Sequence, residues 1–220
     1  MQHRNVILAG LLAAAPATGA VDPAGDFLST YTGTQLAGLD LVSASATFDG
    51  TNFNLSATMN GAIGSTPGAL FVWGVNRGAG IPRLNLLSTP ALDPTVLWDA
   101  LAVQLTDGTL RVVEFPTAGP PTITSFAGAA VISGNTISTS VPLSLWPTRG
   151  YAPTSYTFQL WSRLRLNPAA DGFNSEIADF GPRIFASVPE PASWALLISG
   201  FALAGAMARR RHRAGVAPAC

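Results

Sequence analysis

Residues 39–59 read LDLVSASATFDGTNFNLSATM, and this stretch decides the class of fold. From Phe53 to Met59, apolar side chains alternate with polar ones, which is the pattern of a β-strand with one buried and one hydrated face. A second strand is predicted from Leu39 to Phe48. Asp49-Gly50 between them is a two-residue hairpin signal, because glycine accepts the positive φ angle that such turns demand. The stretch therefore predicts an antiparallel β-hairpin.

The same hairpin signal recurs twice along the chain, each time as a glycine-containing dipeptide between two strand candidates. The two further predicted hairpins join Ala102–Leu105 to Thr109–Phe115 through Asp107-Gly108, and Ala129–Ile132 to Thr136–Val141 through Gly134-Asn135. Other strand candidates are Leu70–Val75, Tyr156–Leu166, and Val96–Trp98 at a short helical turn. Three hairpins favour antiparallel pairing.

The region between the chain ends is predicted to be one all-β domain over residues 21–187. It is dense in Thr, Ser, Gly and Pro, and no long run of helical periodicity interrupts it. Its turn signals recur at a spacing typical of sandwiches. We therefore predict an antiparallel β-sandwich of about eight to ten strands in two sheets, closer to a jelly roll than to a barrel.

The composition of this body restricts its chemistry. Residues 21–188 contain seven arginines and eleven carboxylates, a net charge of −4, which argues against nucleic-acid binding because that needs a basic face. The same residues include no histidine, cysteine or lysine. This excludes a Ser-His-Asp triad, a cysteine nucleophile, a Schiff-base lysine and zinc ligation by His or Cys. We expect a body that is not an enzyme and uses no cofactor.

The N-terminus has the organisation of a secretory signal peptide. A basic start with Arg4 precedes an apolar block from Val6 to Ala15, and small residues follow up to Ala20. Such a block is too short for a transmembrane helix. We predict a signal peptide over residues 1–20, cleaved after Ala20 or Ala17.

The C-terminal tail begins with Val188-Pro189-Glu190-Pro191, where two prolines predict an extended linker. Residues 192–208 then carry no charge, and their 17 positions are at the short end of the roughly 17 to 25 that span a bilayer as a helix. Trp194 lies where an interfacial aromatic side chain would. The arginine-rich residues 209–213 would hold the C-terminus in the cytoplasm by the positive-inside rule. We therefore predict one C-terminal transmembrane helix.

Together these elements resemble the PEP-CTERM sorting signal of Gram-negative bacteria, in its Pro-Glu-Pro-x-x-Trp-Ala form. The resemblance implies an exosortase as partner, an integral-membrane, transpeptidase-like enzyme often encoded with exopolysaccharide genes, which would cleave near the Pro-Glu-Pro. The alternative is an ordinary single-pass anchor. The signal covers residues 188–213, with a short tail over residues 214–220. Its implied sorting residues are Val188, Pro189, Glu190, Pro191, Trp194, Gly200, Gly205, Arg209, Arg210 and Arg211.

A second resemblance concerns the start of the body. The short motifs Asp22-Pro23-x-x-Asp26, Tyr31, Gly38-Leu39-Asp40-Leu41 and Asp49-Gly50 are similar to the opening of sandwich domains of the DOMON and glucodextranase C-terminal type. They cover about the first 30 residues of the domain. Some of those domains bind sugars, so the resemblance implies a sandwich and, more weakly, a carbohydrate ligand.

Two groups of residues are candidate ligand contacts. Trp161 and Trp98 are candidates for stacking on a sugar, although a single tryptophan more often fills core space with its N–H satisfied. Trp161 is predicted to project on the wetter face of its strand. Asp22, Asp26 and Asp40 are close in sequence and are weak candidates for calcium, which takes several oxygen ligands; turn and cap chemistry is the alternative.

Two functions remain open. The first is an exported, non-enzymatic protein, membrane-anchored until sorted, whose body associates with the cell surface or with carbohydrate of the exopolysaccharide matrix. The alternative is an extracellular polysaccharide hydrolase that uses carboxylates alone, with Glu114 and either Glu176 or Asp179 as acid and base.

Overall fold

The structure is a computed structural model that describes residues 19–83, 96–166 and 174–188, together with residues 198–205, 207 and 209. The body belongs to one compact unit, Ala17–Val188, and the chain ends to another. Most of the predicted signal peptide lies outside the described residues, as do the sorting residues Pro189, Glu190, Pro191, Trp194, Arg210 and Arg211.

Twelve strands are described in the body, more than the sequence predicts because several have only two to four residues. In chain order they are β1 Ala20–Val21, β2 Leu41–Phe48, β3 Asn52–Met59, β4 Ala69–Asn76, β5 Ala100–Leu105, β6 Leu110–Glu114, β7 Thr122–Phe126, β8 Val131–Ser133, β9 Thr136–Pro142, β10 Thr157–Leu164, β11 Ile177–Phe180 and β12 Ile184–Phe185. Short 3-10 helices lie between them at Ala37–Leu39, Ile63–Ser65, Leu143–Leu145, Pro153–Ser155 and Asn174–Glu176.

The strands form two antiparallel sheets, as predicted. One sheet has five strands in the order β1-β2-β3-β9-β8. The other has seven, in the order β11-β10-β4-β5-β6-β7, and β12 pairs with β10 as well. All three predicted hairpins are present as β2–β3, β5–β6 and β8–β9. The prediction of a strand over Val96–Trp98 is wrong, because among the described residues of this region only an isolated bridge joins Trp98 to Ile81.

The first hairpin shows why its turn sequence works. Gly50 has a φ of 99°, a value that other residues rarely adopt. The Oδ1 atom of Asp49 accepts hydrogen bonds from the amides of Thr51 and Asn52 at 2.9 and 2.8 Å. These two bonds and a third from Asn54 lower the pKa of Asp49 to about 2. The turn is therefore closed by its own aspartate.

The main core lies between the two sheets and is rich in aromatic side chains. Phe53 of β3 stacks on Tyr156, with ring centroids 5.1 Å apart, and also contacts Trp146 and Phe158. Trp73 of β4 is completely buried here, and its Nε1 donates to Gln104 at 2.8 Å. Two tryptophans of the body, Trp73 and Trp146, thus fill space in the core.

Strand β4 is buried on both of its faces. Phe71, Trp73 and Val75 point into the core between the sheets. Leu70 and Val72 belong to a second apolar cluster with Trp98 and Trp161. The outer face of the seven-stranded sheet is therefore apolar too.

The C-terminal unit is helical over residues 198–205. Its apolar side chains Ile198, Phe201 and Leu203 are all exposed. Across the described residues, no helix combines the length and the apolar character needed to cross a membrane. Residues 192–197, 206 and 208 of the predicted transmembrane helix lie outside the described part.

Candidate functional site

Four carboxylates come together where the edges of the two sheets meet. Asp22 follows β1, Asp26 lies in the next loop, and Asp40 immediately precedes β2. Asp179 lies on β11 of the other sheet. The segment after β1 bridges the two edges, because the amide of Asp22 donates to Val42 and the amide of Leu28 donates to Ala178. We call Asp22, Asp26, Asp40 and Asp179 the acidic cluster.

Three members of the acidic cluster lie close enough to share a ligand. One carboxylate oxygen from each of Asp22, Asp26 and Asp179 lies within 4.8 Å of the others. Asp26 is exposed, Asp22 is partly buried and Asp179 is buried. Two of the three predicted calcium candidates, Asp22 and Asp26, therefore lie close together. The third carboxylate beside them is Asp179, which the sequence suggested only as a hydrolase residue.

The third predicted candidate, Asp40, holds the loop in place. Both of its carboxylate oxygens accept from the amide of Gly25, at 2.9 and 3.0 Å, and Oδ2 also accepts from Nδ2 of Asn60 at 2.9 Å. Gly25 has a φ of 85°, which allows the loop to turn towards this carboxylate. The role of Asp40 is the turn and cap chemistry that the sequence left open.

Burial and mutual repulsion raise two pKa values in the acidic cluster. The pKa of Asp22 is raised to about 7, first by burial and then by the charges of Asp179, Asp26 and Asp40. Burial also raises the pKa of Asp179 to about 6, although hydrogen bonds from the amides of Leu41 and Phe180 oppose the shift. Carboxyl groups perturbed in this way are typical of functional sites.

A second candidate site is a depression on the outer face of the seven-stranded sheet, which we call the outer groove. It has a volume of about 390 Å³. Most of its lining is apolar, with three arginines beside it. The lining residues are Leu70, Val72, Trp98, Leu101, Val103, Arg111, Val113, Phe115, Ile123, Trp161, Arg163, Arg165 and Ile177.

Both tryptophans that the sequence singles out lie in the outer groove. Trp161 is on the outer face of β10, as its alternation predicts, and its ring centroid is 6.2 Å from that of Trp98. They are only 4% and 6% exposed, because Trp161 stacks on Phe180 and Trp98 packs edge-on against Phe115. Gly74 of β4 leaves room for them, since a Cβ there would lie 2.9 Å from the Trp161 ring. The indoles thus form a wall of the groove and are not open platforms.

The arginines give the outer groove a cationic rim. Arg111 projects from β6 and Arg163 from β10, and Arg165 is exposed beyond the end of β10. The Nε of Arg163 donates to Glu176 at 2.6 Å. The guanidinium of Arg83 lies 4.3 Å from the ring centroid of Phe115. The body is acidic overall, but three of its seven arginines lie beside this one groove.

The carboxylates proposed for hydrolysis are far apart. Four inter-strand spacings of about 4.8 Å separate β6, which ends with Glu114, from β11, so the strands are about 19 Å apart. Glu176 immediately precedes β11, and Asp179 is part of it. A glycosidase acid and base lie about 5 to 9.5 Å apart. Glu114 therefore forms no such pair with either residue.

Comparison with known families identifies the C-terminal tail. Residues 187–211 match the model of the PEP-CTERM protein-sorting motif, which confirms the resemblance drawn from the sequence. This motif marks the chain as an exported protein that an exosortase processes. No curated protein and no solved structure matches the chain. The similarity of the body to DOMON-type domains stays a prediction.

Proposed function

We propose that this is a non-enzymatic protein of the cell surface or exopolysaccharide matrix, whose sandwich associates with an anionic polysaccharide through the outer groove. The observation that carries the proposal is the cationic rim of this groove beside an apolar wall that contains Trp98 and Trp161. The sorting motif supports delivery to the outside of the cell, where such polymers are found.

The charge distribution supports an anionic ligand. Arg111 and Arg165 line the groove of a body whose net charge is −4, and Arg163 beside them is already paired with Glu176. Guanidinium groups bind carboxylates and phosphates in a bidentate manner, and the apolar floor suits the C–H faces of sugar rings. The ring edges of the two tryptophans would contribute contact area and shape.

Two observations support a non-enzymatic role. The body has no histidine, cysteine or lysine. Glu114 and Glu176 are each ion-paired with an arginine, Arg77 and Arg163 respectively, and so are already committed to internal contacts. The hydrolase alternative therefore has to use other carboxylates.

The test is binding of the exported protein, purified from the native host, to that host's own exopolysaccharide. We expect co-sedimentation that Arg111→Gln and Arg165→Gln weaken, while Arg183→Gln, an exposed residue outside the groove, leaves it unchanged. No reducing ends should be released. Release of reducing ends would establish a hydrolase instead, and equal binding by all three arginine variants would exclude the groove.

A further inference from the structure

We propose that Asp22, Asp26 and Asp179 bind a hard divalent cation, best matched by calcium, which fastens the N-terminal segment to the far sheet. This site is independent of the outer groove and of the polysaccharide. It differs from the set of aspartates suggested by sequence proximity, since Asp179 lies on β11 and replaces Asp40 as a ligand.

The distances between the three carboxylates fit a common ion. Calcium–oxygen distances are about 2.3 to 2.6 Å, so two ligands of one ion are at most about 5 Å apart. The oxygens of Asp22, Asp26 and Asp179 meet this limit, lying within 4.8 Å of one another. The three carboxylates, one on β11 and two in the segment after β1, are therefore close enough to share one ion.

A second observation points to a missing ligand at the same place. The Oδ2 atom of Asp22 is buried and has no hydrogen-bond partner in the structure. A buried carboxylate oxygen without a donor is unfavourable, because it loses hydration and gains nothing in return. A cation bound between the carboxylates would give this oxygen the partner that it lacks.

None of the described salt bridges of the body involves the acidic cluster. They join Arg77 and Arg163 to Asp99, Glu114 and Glu176. The cluster instead consists of like charges that repel one another across the junction of the two sheets. A divalent ion would turn this repulsion into a cross-link.

The donor set favours calcium over other metals. All three side chains offer oxygen, whereas zinc and copper prefer nitrogen or sulfur. Asp26 is exposed, so water can complete the six to eight oxygen ligands that calcium takes. Asp40 acts as a positioning residue, because its bonds to Gly25 and Asn60 fix the loop that carries Asp26.

The experiment uses the full exported protein, treated with EDTA and then titrated with CaCl2, followed by calorimetry and thermal unfolding. We expect stoichiometric binding and a rise in melting temperature. Asp26→Asn, on an exposed side chain, should weaken binding at least tenfold, and Asp107→Asn, at an exposed hairpin turn, should bind as the parent does.

Asp22→Asn separates a metal site from a purely structural role. Removing one of the repelling charges should raise the melting temperature of the metal-free protein and abolish its response to calcium. The proposal is overturned if the parent does not bind CaCl2 or if Asp26→Asn and Asp22→Asn bind as tightly as the parent. Equal competition by MgCl2 at the same concentration would overturn the assignment to calcium.

Discussion

The guanidinium of Arg77 lies 2.9 Å from the carboxylate of Asp99, and both side chains are almost completely buried. Arg77 follows β4, and Asp99 immediately precedes β5. Oδ2 of Asp99 also accepts from the amide of Ala79 at 3.1 Å, and Nη1 of Arg77 reaches Glu114 at 2.7 Å. Together with Glu114, this pair links the ends of three neighbouring strands, β4, β5 and β6.

Breaking that pair should destabilise the body strongly. Arg77→Leu leaves Asp99 buried without its ionic partner, and removing one partner of a buried ion pair costs about 3 to 5 kcal/mol. Chemical denaturation measures the change in the free energy of unfolding. The same substitution at Arg165, whose side chain is exposed, should cost less than about 1 kcal/mol. Similar losses in both variants would show that the pair has no special role.

The turn of the first hairpin should make stability depend on acid pH. The pKa of Asp49 is about 2 in the folded protein and 3.8 in the reference state, so its carboxylate stabilises the fold above pH 3.8. That contribution disappears as the pH falls towards 2. The melting temperatures of the parent and of Asp49→Ala should therefore differ at pH 5 and converge near pH 2. Asp49→Asn keeps an acceptor oxygen but has no titrating group. We therefore expect the difference in melting temperature between Asp49→Asn and Asp49→Ala to stay constant with pH.

The outer groove depends on the absence of a side chain at Gly74. A methyl group there would collide with the rigid ring of Trp161, so Gly74→Ala should cost about 1 to 3 kcal/mol and shift the tryptophan fluorescence. At Gly64 an added Cβ meets no atom within 4 Å, and Gly64→Ala serves as the control. An unchanged emission spectrum in Gly74→Ala would mean that Trp161 is not packed on β4.

The sorting motif predicts the fate of the chain. Replacing Pro189-Glu190-Pro191 by alanines should leave a full-length protein in the inner membrane, because the exosortase loses its recognition sequence, while the parent is found shortened and beyond that membrane. Fractionation and immunoblotting measure both. Alanines at Pro120-Pro121, an exposed pair in the body, should not alter sorting. If the tail variant and the parent migrate and fractionate alike, the tail is only an anchor.

The sequence predicted what is encoded locally. The three hairpins depend on a turn dipeptide and on alternation within a few residues, and both are visible in the chain. The pairing of β10 with β4 joins Thr157 to Asn76 and has no such local signal. The error at Val96–Trp98 has the same origin, because a short apolar run does not show whether a neighbouring strand is available.

The candidate sites were only partly predictable for a related reason. Asp22 and Asp26 are close in sequence, but Asp179 reaches them only through the fold, and its carboxylate bonds to Leu41 at a separation of 138 positions. The one local signal was a carboxylate inside the apolar strand β11. The arginine rim was likewise not predictable from local sequence. Arg111 lies on β6 and Arg163 on β10, and these strands belong to the same sheet only because of the strand order of the fold.

The burial of β4 on both faces has a consequence for the order in which the chain becomes ordered. One neighbour, β5, follows soon after it, but the other, β10, is synthesised more than 80 positions later. Until β10 emerges, β4 exposes an unpaired apolar edge, and so much non-local pairing makes folding slow. A polypeptide that must be threaded through a membrane profits from this delay, because the central sheet cannot close before almost the entire body has been made.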